Sequence, residues 1–309
     1  MPATRCLTGA SASMLEPGTA TRVLRRPTAR VCLGVLLLIG LAAAIGPELF
    51  PESYREPGPL QYSPPTWAHP FGTDLNGRDL LYRVLLGARI SLIVGLAGAA
   101  ISLSLGTAYG LIAGYVGGKV DSLMMRLVDI LYSVPRLIFI LIFINAFDGH
   151  LRDFASRMDW PWLIGYSRIV ILVLTLGLIE WLTMARIVRG QVLSLKERQF
   201  VHAAQALGQS HGKIILRHLL PNILPLIIVY LTLTVPAVIL DESFLSFLGL
   251  GIQPPQASWG SLLSEGAQSI NPLKIYWWLL LFPAATMTST LLALNYLGDR
   301  LRDTLDPRK

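Results

Sequence analysis

Six runs of about twenty mainly apolar residues, near 31–50, 90–114, 125–147, 164–185, 223–245 and 276–298, constrain this 309-residue chain more than any other feature. A run of that length crosses the hydrocarbon of a bilayer as an α-helix. Backbone N–H and C=O groups must be satisfied internally there, which leaves helices as the economical solution for such runs. The expected fold class is all-α integral membrane, with six transmembrane helices. Composition agrees, since 53% of residues are hydrophobic and 15% charged, where a soluble domain carries about 25% charged residues. The chain then divides into an N-terminal tail (1–30), a first transmembrane helix (31–50), a Pro-rich loop with an interfacial helix (51–89), a core (90–298) containing a polar loop at 186–222, and a C-terminal tail (299–309).

An even number of spans puts both termini on one side, and the basic residues identify it. The N-tail, the 115–126 turn, the 186–222 loop and the C-tail hold 17 of the 26 Lys and Arg. By the positive-inside rule these segments, and hence both termini, are cytoplasmic. The net charge of +7 follows from this topology and from attraction to membrane lipid, with no need of nucleic acid. Arg-rich residues before an apolar run that ends at Ala42-Ala43-Ala44 also fit a signal peptide. An uncleaved anchor is expected, because removal would leave an odd number of spans and put the basic C-tail out of step. Cys6 and Cys32 are too few for a disulfide framework or a metal site.

The 186–222 loop carries local helix signals. Ser194 and Glu197 fit the S-x-x-E capping box, and Phe200, Ala203, Ala204 and Leu207 recur at helical spacing to give one apolar stripe beside Val201. Arg198, Gln199, His202 and Gln205 fall mostly on the wetter side. Gly208 stops this helix, and Ser210 can cap a second one that runs until Pro221 disturbs it. Two small alanines on the stripe would let another surface approach closely. Spacing alone leaves two readings open: a docking element for a partner, or a hairpin packed on its own bundle.

Elsewhere the residues speak to placement more than chemistry. Pro51, Pro57, Pro59, Pro64, Pro65 and Pro70 predict an extended external loop. Asp79 can start a helix with an apolar face, either a membrane-surface helix or simply an earlier start to span two. Residues 148–163, charged and then rich in Trp, predict an external excursion ending in an aromatic belt. Of the charges near the spans, Arg136, Glu180, Asp241 and Glu242, Glu180 is expected to pair or snorkel near Arg186. Asp241, Glu242 and Ser243 either line a translocation path, where a carboxylate could meet a peptide's ammonium group, or form a solvated span end or gate contact. No G-x-x-x-x-G-K-[ST] phosphate loop exists, and Gly118-Lys119-Val120 and Gly212-Lys213-Ile214 are incomplete. No metal-ligand spacing and no nucleophile–base pair stands out. An enzyme that hydrolyses ATP is thereby disfavoured; no cofactor or metal is expected on this chain.

Several of these segments share a family pattern. His202 through Pro221 resembles the E-A-A-x3-G-x9-I-x-L-P cytoplasmic loop of ABC-importer permeases: Ala203, Ala204, Gly208, Leu220 and Pro221 match, His202 stands at the Glu and His218 at the Ile. His69 to Asp74 with Gly77-Arg78-Asp79, Gly87 to Ser91, Trp181 to Lys196, Glu242 to Gly251 with Trp259-Gly260, and Leu301 to Pro307 resemble the dipeptide, oligopeptide and nickel permease family. The run Trp181–Lys196 is most similar to the C-type subunit of oligopeptide permeases. The resemblance implies the type I ABC-importer permease fold in a bacterial inner membrane. It implies a homologous second permease, one or two ATPase subunits that use ATP and Mg, and an extracytoplasmic peptide-binding protein. Ser194, Glu197, Phe200, Val201, Ala203, Ala204, Leu207, Gly208, Leu220 and Pro221 would then form the ATPase-coupling loop. Nickel or another small solute is the alternative cargo, and a stand-alone ion-coupled secondary transporter, using Glu180 or Asp241 and Glu242, is the alternative of a different class.

Overall fold

The computed structural model describes residues 26–49, 56–254, 256–270 and 274–305. The expectations for the N-terminal tail up to residue 25 and for the end of the C-tail lie outside these. The described residues form ten α-helices and contain no strand: α1 Pro27–Leu49, α2 Leu80–Val116, α3 Gly118–Ser133, α4 Arg136–Arg157, α5 Pro161–Lys196, α6 Gln199–Ala206, α7 His211–Ile214, α8 Leu220–Phe247, α9 Trp259–Gln268 and α10 Trp278–Leu305. A five-residue π-helical turn, Ile215–Leu219, joins α7 to α8. Five segments are long and apolar enough to cross a membrane, and the bent pair α3–α4 makes a sixth if taken as one span.

α2 is the axle of the bundle. Asp79 caps it, its carboxylate accepting from the Leu81 N–H at 2.8 Å. It then runs for 37 residues, about 55 Å at 1.5 Å per residue. Of the two readings of the helix that Asp79 starts, the structure has the second: span two begins earlier, as one continuous helix. Small residues let it press against α5: a Cβ on Gly110 would lie 2.6 Å from the Ala185 carbonyl oxygen, and one on Gly106 would lie 2.8 Å from that of Trp181. Such contact replaces the hydrophobic effect, which is weak between helices already in lipid, with close packing. α1 lies at the periphery against α2 and α10 and buries only Ala29, Ala43 and Pro47.

The third span departs from expectation. Instead of one helix over 125–147, α3 and α4 meet at 89° across Val134-Pro135. Proline has no N–H to continue the ladder, and it pushes the residue before it out of helical geometry; Val134 is extended at ψ 126°. α4 then continues to Arg157, so most of the expected excursion over 148–163 is helical, and a turn of three residues leads into Pro161 at the start of α5.

At the other end of α2, the irregular segment 56–79 packs on α9 and α10. Tyr62 stacks on Tyr276 with ring centroids 4.1 Å apart, and Phe71 on Phe282 at 4.0 Å. Buried Arg83 reaches Asp74 with Nη1 at 2.7 Å and Glu265 with Nη2 at 2.9 Å. Ser258 and Ser261 form a reciprocal capping box at the start of α9.

Candidate functional site

The polar loop is built from the end of α5, from α6, α7 and the π-turn, and from the start of α8. Ser194 lies in the last turn of α5 and Glu197 is that helix's C-cap, so the two do not form the expected capping box. α6 starts later, with Arg198 at the N-cap and no side-chain capping bond. The S-x-x-E signature describes local chemistry, but α5 packs on α2 as far as Val192 and Lys196 and holds its helical path past Ser194.

α6 presents two faces, and they are not divided as the stripe predicts. Val201 and Ala204 are buried against Val188, Val192, Ile214, Leu219 and Ile223, with Phe200 partly buried beside them. Ala203 is exposed, and Leu207, at the C-cap, is 79% exposed. At 3.6 residues per turn the inward direction lies between Val201 and Ala204, about 80° from the centre of the four-residue stripe. An exposed strip of His202, Ala203, Ala206 and Leu207 is left on the outside.

Gly208 ends the helix at φ +73°, a conformation open to glycine; an added Cβ there would meet no atom within 4 Å, so backbone strain alone sets the requirement. Its N–H donates to the Gln205 carbonyl at 2.9 Å, and that of Gln209 to the Ala204 carbonyl at 3.1 Å. Two histidines then pin the turn. His211 Nδ1 lies 2.8 Å from Tyr115 Oη at the end of α2, and His218 Nε2 lies 2.9 Å from Gln209 Oε1. The second helix is disturbed ahead of Pro221, as expected, but the chain does not leave the helical path. The π-turn absorbs the proline, and Asn222 Nδ2 donates to the His218 carbonyl at 2.6 Å, so the chain runs on from His211 into α8.

The charges within the spans also rearrange. Glu180 pairs with Arg136 rather than with Arg186, which instead donates to Asp129 at 2.6 Å. Arg136 Nη2 bonds Asp241 as well, so one nitrogen bridges α4, α5 and α8. Asp241 keeps partial exposure, whereas Glu242 and Ser243 are buried. Glu242 accepts from Ser91 at 2.8 Å and from Ser246 at 2.7 Å. Of the three residues weighed for a translocation path, Asp241 alone reaches an open surface, because successive helical residues point about 100° apart. Arg136 was noted only as a charge in a span, and its partners, 44 and 105 residues away, carried no local signal.

Residues 106–309, which hold this loop and these charges, match the family described as binding-protein-dependent transport system inner membrane component. The chain belongs to this family. It is a permease subunit, a membrane component distinct from the ATPase. It is 45% identical over 290 residues to the oligopeptide transport system permease protein OppC of Haemophilus influenzae, covering 93% of this chain and 86% of that protein. OppC of Escherichia coli K12 is also 45% identical, over 93% of this chain and 89% of its own length. The dipeptide transport system permease protein DppC of Bacillus subtilis is 43% identical, with 93% and 84% covered. Among solved structures, an inward-facing MetNI methionine ABC transporter chain superposes with a TM-score of 0.54 at 17% identity, covering 73% of this permease and 97% of that chain. That likeness supports the fold alone. The permease thus has the all-helical ABC-importer architecture and is a multi-pass inner-membrane protein.

Proposed function

We propose that this permease forms the C-type half of the membrane channel of an ATP-driven importer of oligopeptides or dipeptides. What carries the reading is identity of 45% over nearly the whole chain to proteins named for oligopeptide transport. Family membership sets aside the ion-coupled secondary transporter. In the complex, a homologous permease completes the pathway, one or two ATPase subunits bind ATP and Mg, and an extracytoplasmic binding protein delivers cargo. Both termini and the 186–222 loop face the cytoplasm, where the ATPase docks.

The geometry supports a division of labour within that loop. Phe200, Val201 and Ala204 anchor α6 to the bundle; Ala203 and Leu207 are presented to the ATPase; Gly208 permits the turn; and Leu220 and Pro221 start the helix that carries force to Asp241 in α8. Ser194 and Glu197 act as the end of α5 rather than as a cap. Closure of the ATPases moves α6, and the π-turn passes the displacement into α8. Asp241 lines the path, while Glu242 and Ser243 stabilise α8 from inside.

The deciding experiment is reconstitution of the permease with its partner permease, ATPases and binding protein in liposomes. ATP-dependent uptake of labelled peptide is expected, with no ATP turnover by this chain alone. Uptake of nickel in the absence of any peptide uptake would replace the cargo while leaving the machinery in place.

A further inference from the structure

Arg136, Glu180 and Asp241 meet at the break in the third span, and three observations coincide there. Two carboxylates share a single guanidinium nitrogen, and among the described residues neither has another cationic partner. With both acids ionised the cluster carries one surplus negative charge, which is costly inside a membrane unless something neutralises it. The α3–α4 break opens a cavity of about 240 Å³ beside it, lined by Tyr132, Ser133, Arg136, Phe139, Glu180 and Thr183 among others, with Asp241 outside the lining and joined to it through Arg136. Interrupted helices in transporters characteristically line substrate sites. The volume is below the roughly 300–1,000 Å³ of sites for drug-sized molecules, so it suits one end of a ligand.

We propose that Arg136, Glu180 and Asp241, together with this cavity, form a subsite for a primary ammonium group, the free N-terminus of a transported peptide. The ammonium takes the carboxylate oxygens that Arg136 leaves open, and the apolar wall from Phe139 holds the first side chain. Arg136 keeps the two acids from repelling each other when the site is empty. No covalent step is involved. The proposal rests on the peptide-import reading above and adds the chemistry of one stop along the path.

The test uses the complete transporter in phosphatidylcholine nanodiscs, with Ser133→Cys introduced over Cys6→Ser and Cys32→Ser. Alkylation of the new thiol by a maleimide is timed with trialanine, with N-acetyl-trialanine, and with neither. Trialanine should slow labelling at least threefold, the acetylated peptide should not, and Asp241→Asn should abolish the protection. Glu180→Gln gives the same reading should Asp241→Asn fail to assemble. Equal protection by both peptides, protection by neither, or protection that survives these variants overturns the subsite. A lipid headgroup could supply the same ammonium, so a second set of nanodiscs contains phosphatidylethanolamine. Protection there without peptide, removed by Asp241→Asn and not reproduced by trialanine, assigns the site to lipid and overturns the peptide assignment. Trialanine uptake by the same complex in liposomes separates the two levels: uptake without protection sinks the subsite alone, and absence of all peptide uptake sinks the transport reading with it.

Discussion

The two ends of α2 are held by different means. Near its start, Arg83 is 4% exposed and bonds Asp74 and Glu265, aromatic pairs stack across the 56–79 segment, and a capping box fixes α9. Near its finish, about 48 Å away over 32 residues, the loop is held by apolar packing of Val201, Ala204, Ile214 and Leu219, with one hydrogen bond between Tyr115 and His211. A buried ion network loses much when any member is removed, whereas a small apolar contact with surface hydrogen bonds can open at modest cost. The first end is scaffold. The second is the more lightly held, which suits the coupling role proposed for this loop.

The largest expected effect tests the scaffold. Arg83→Gln removes the cation that Asp74 and Glu265 share, leaving Asp74 with Arg78 and Glu265, 39% exposed, with water; a fully buried pair that loses one partner costs about 3–5 kcal/mol, which is the upper bound here. The purified variant should melt well below wild type in detergent. Arg83→Lys should rescue it poorly, because one ammonium cannot reproduce the fork that reaches both acids. A wild-type melting temperature for Arg83→Gln would erase the contrast between the two ends.

Next comes Ala204→Leu. Ala204 is 3% exposed and packed in the cluster with Val188 and Ile214, so a larger side chain overfills the space, at a cost of about 1–3 kcal/mol. The disturbance should stay local. Amide exchange over residues 199–219 should quicken while that over 80–95 does not change, and peptide uptake should fall. Protection lost at both ends together would show the bundle to be one cooperative unit.

How much of this was readable beforehand depends on the range of the signal. Runs of twenty apolar residues announce spans by themselves, and Asp79 and Gly208 announce helix ends through their own chemistry. The break at Val134-Pro135 was also written locally, but the apolar content on both sides concealed it. Ser194 and Glu197 misled because a capping signature cannot reveal that α5 is held helical by α2. Ser246 stands one helical turn after Glu242, a spacing open to reading, but the bridge from Arg136 to Glu180 and Asp241, and the hydroxyl of Ser91 on Glu242, join residues brought together only by helix packing. No periodicity within one segment encodes them.

Gly208→Val should act on the turn without disturbing the spans. A left-handed φ costs an ordinary residue about 1–2 kcal/mol, and a β-branched one at least as much. Uptake should drop while membrane abundance and co-purification of the partner permease hold at wild-type levels. Gly208→Asn, which tolerates that φ, should recover most of the transport. Failure of asparagine to do better than valine would move the cause from backbone strain to lost contact with the ATPase.

The smallest pair of effects separates pinning from docking on the yielding end. His211→Ala removes the bond to Tyr115, worth about 1 kcal/mol, and should loosen α7 enough for faster amide exchange there with a modest loss of uptake. His202 is 58% exposed and approaches Glu197 only to 4.0 Å, so His202→Ala should change stability by less than about 0.5 kcal/mol and leave uptake close to wild type. The order of the two matters more than their size. His202, which stands at the Glu of the motif the loop resembles, lies on the outward strip of α6, whereas His211 bonds Tyr115 within its own bundle. Uptake lost in His202→Ala but kept in His211→Ala would mean that the ATPase grips the strip at residue 202 itself, and that the mobility of this end follows from its partner's hold rather than from weak internal packing.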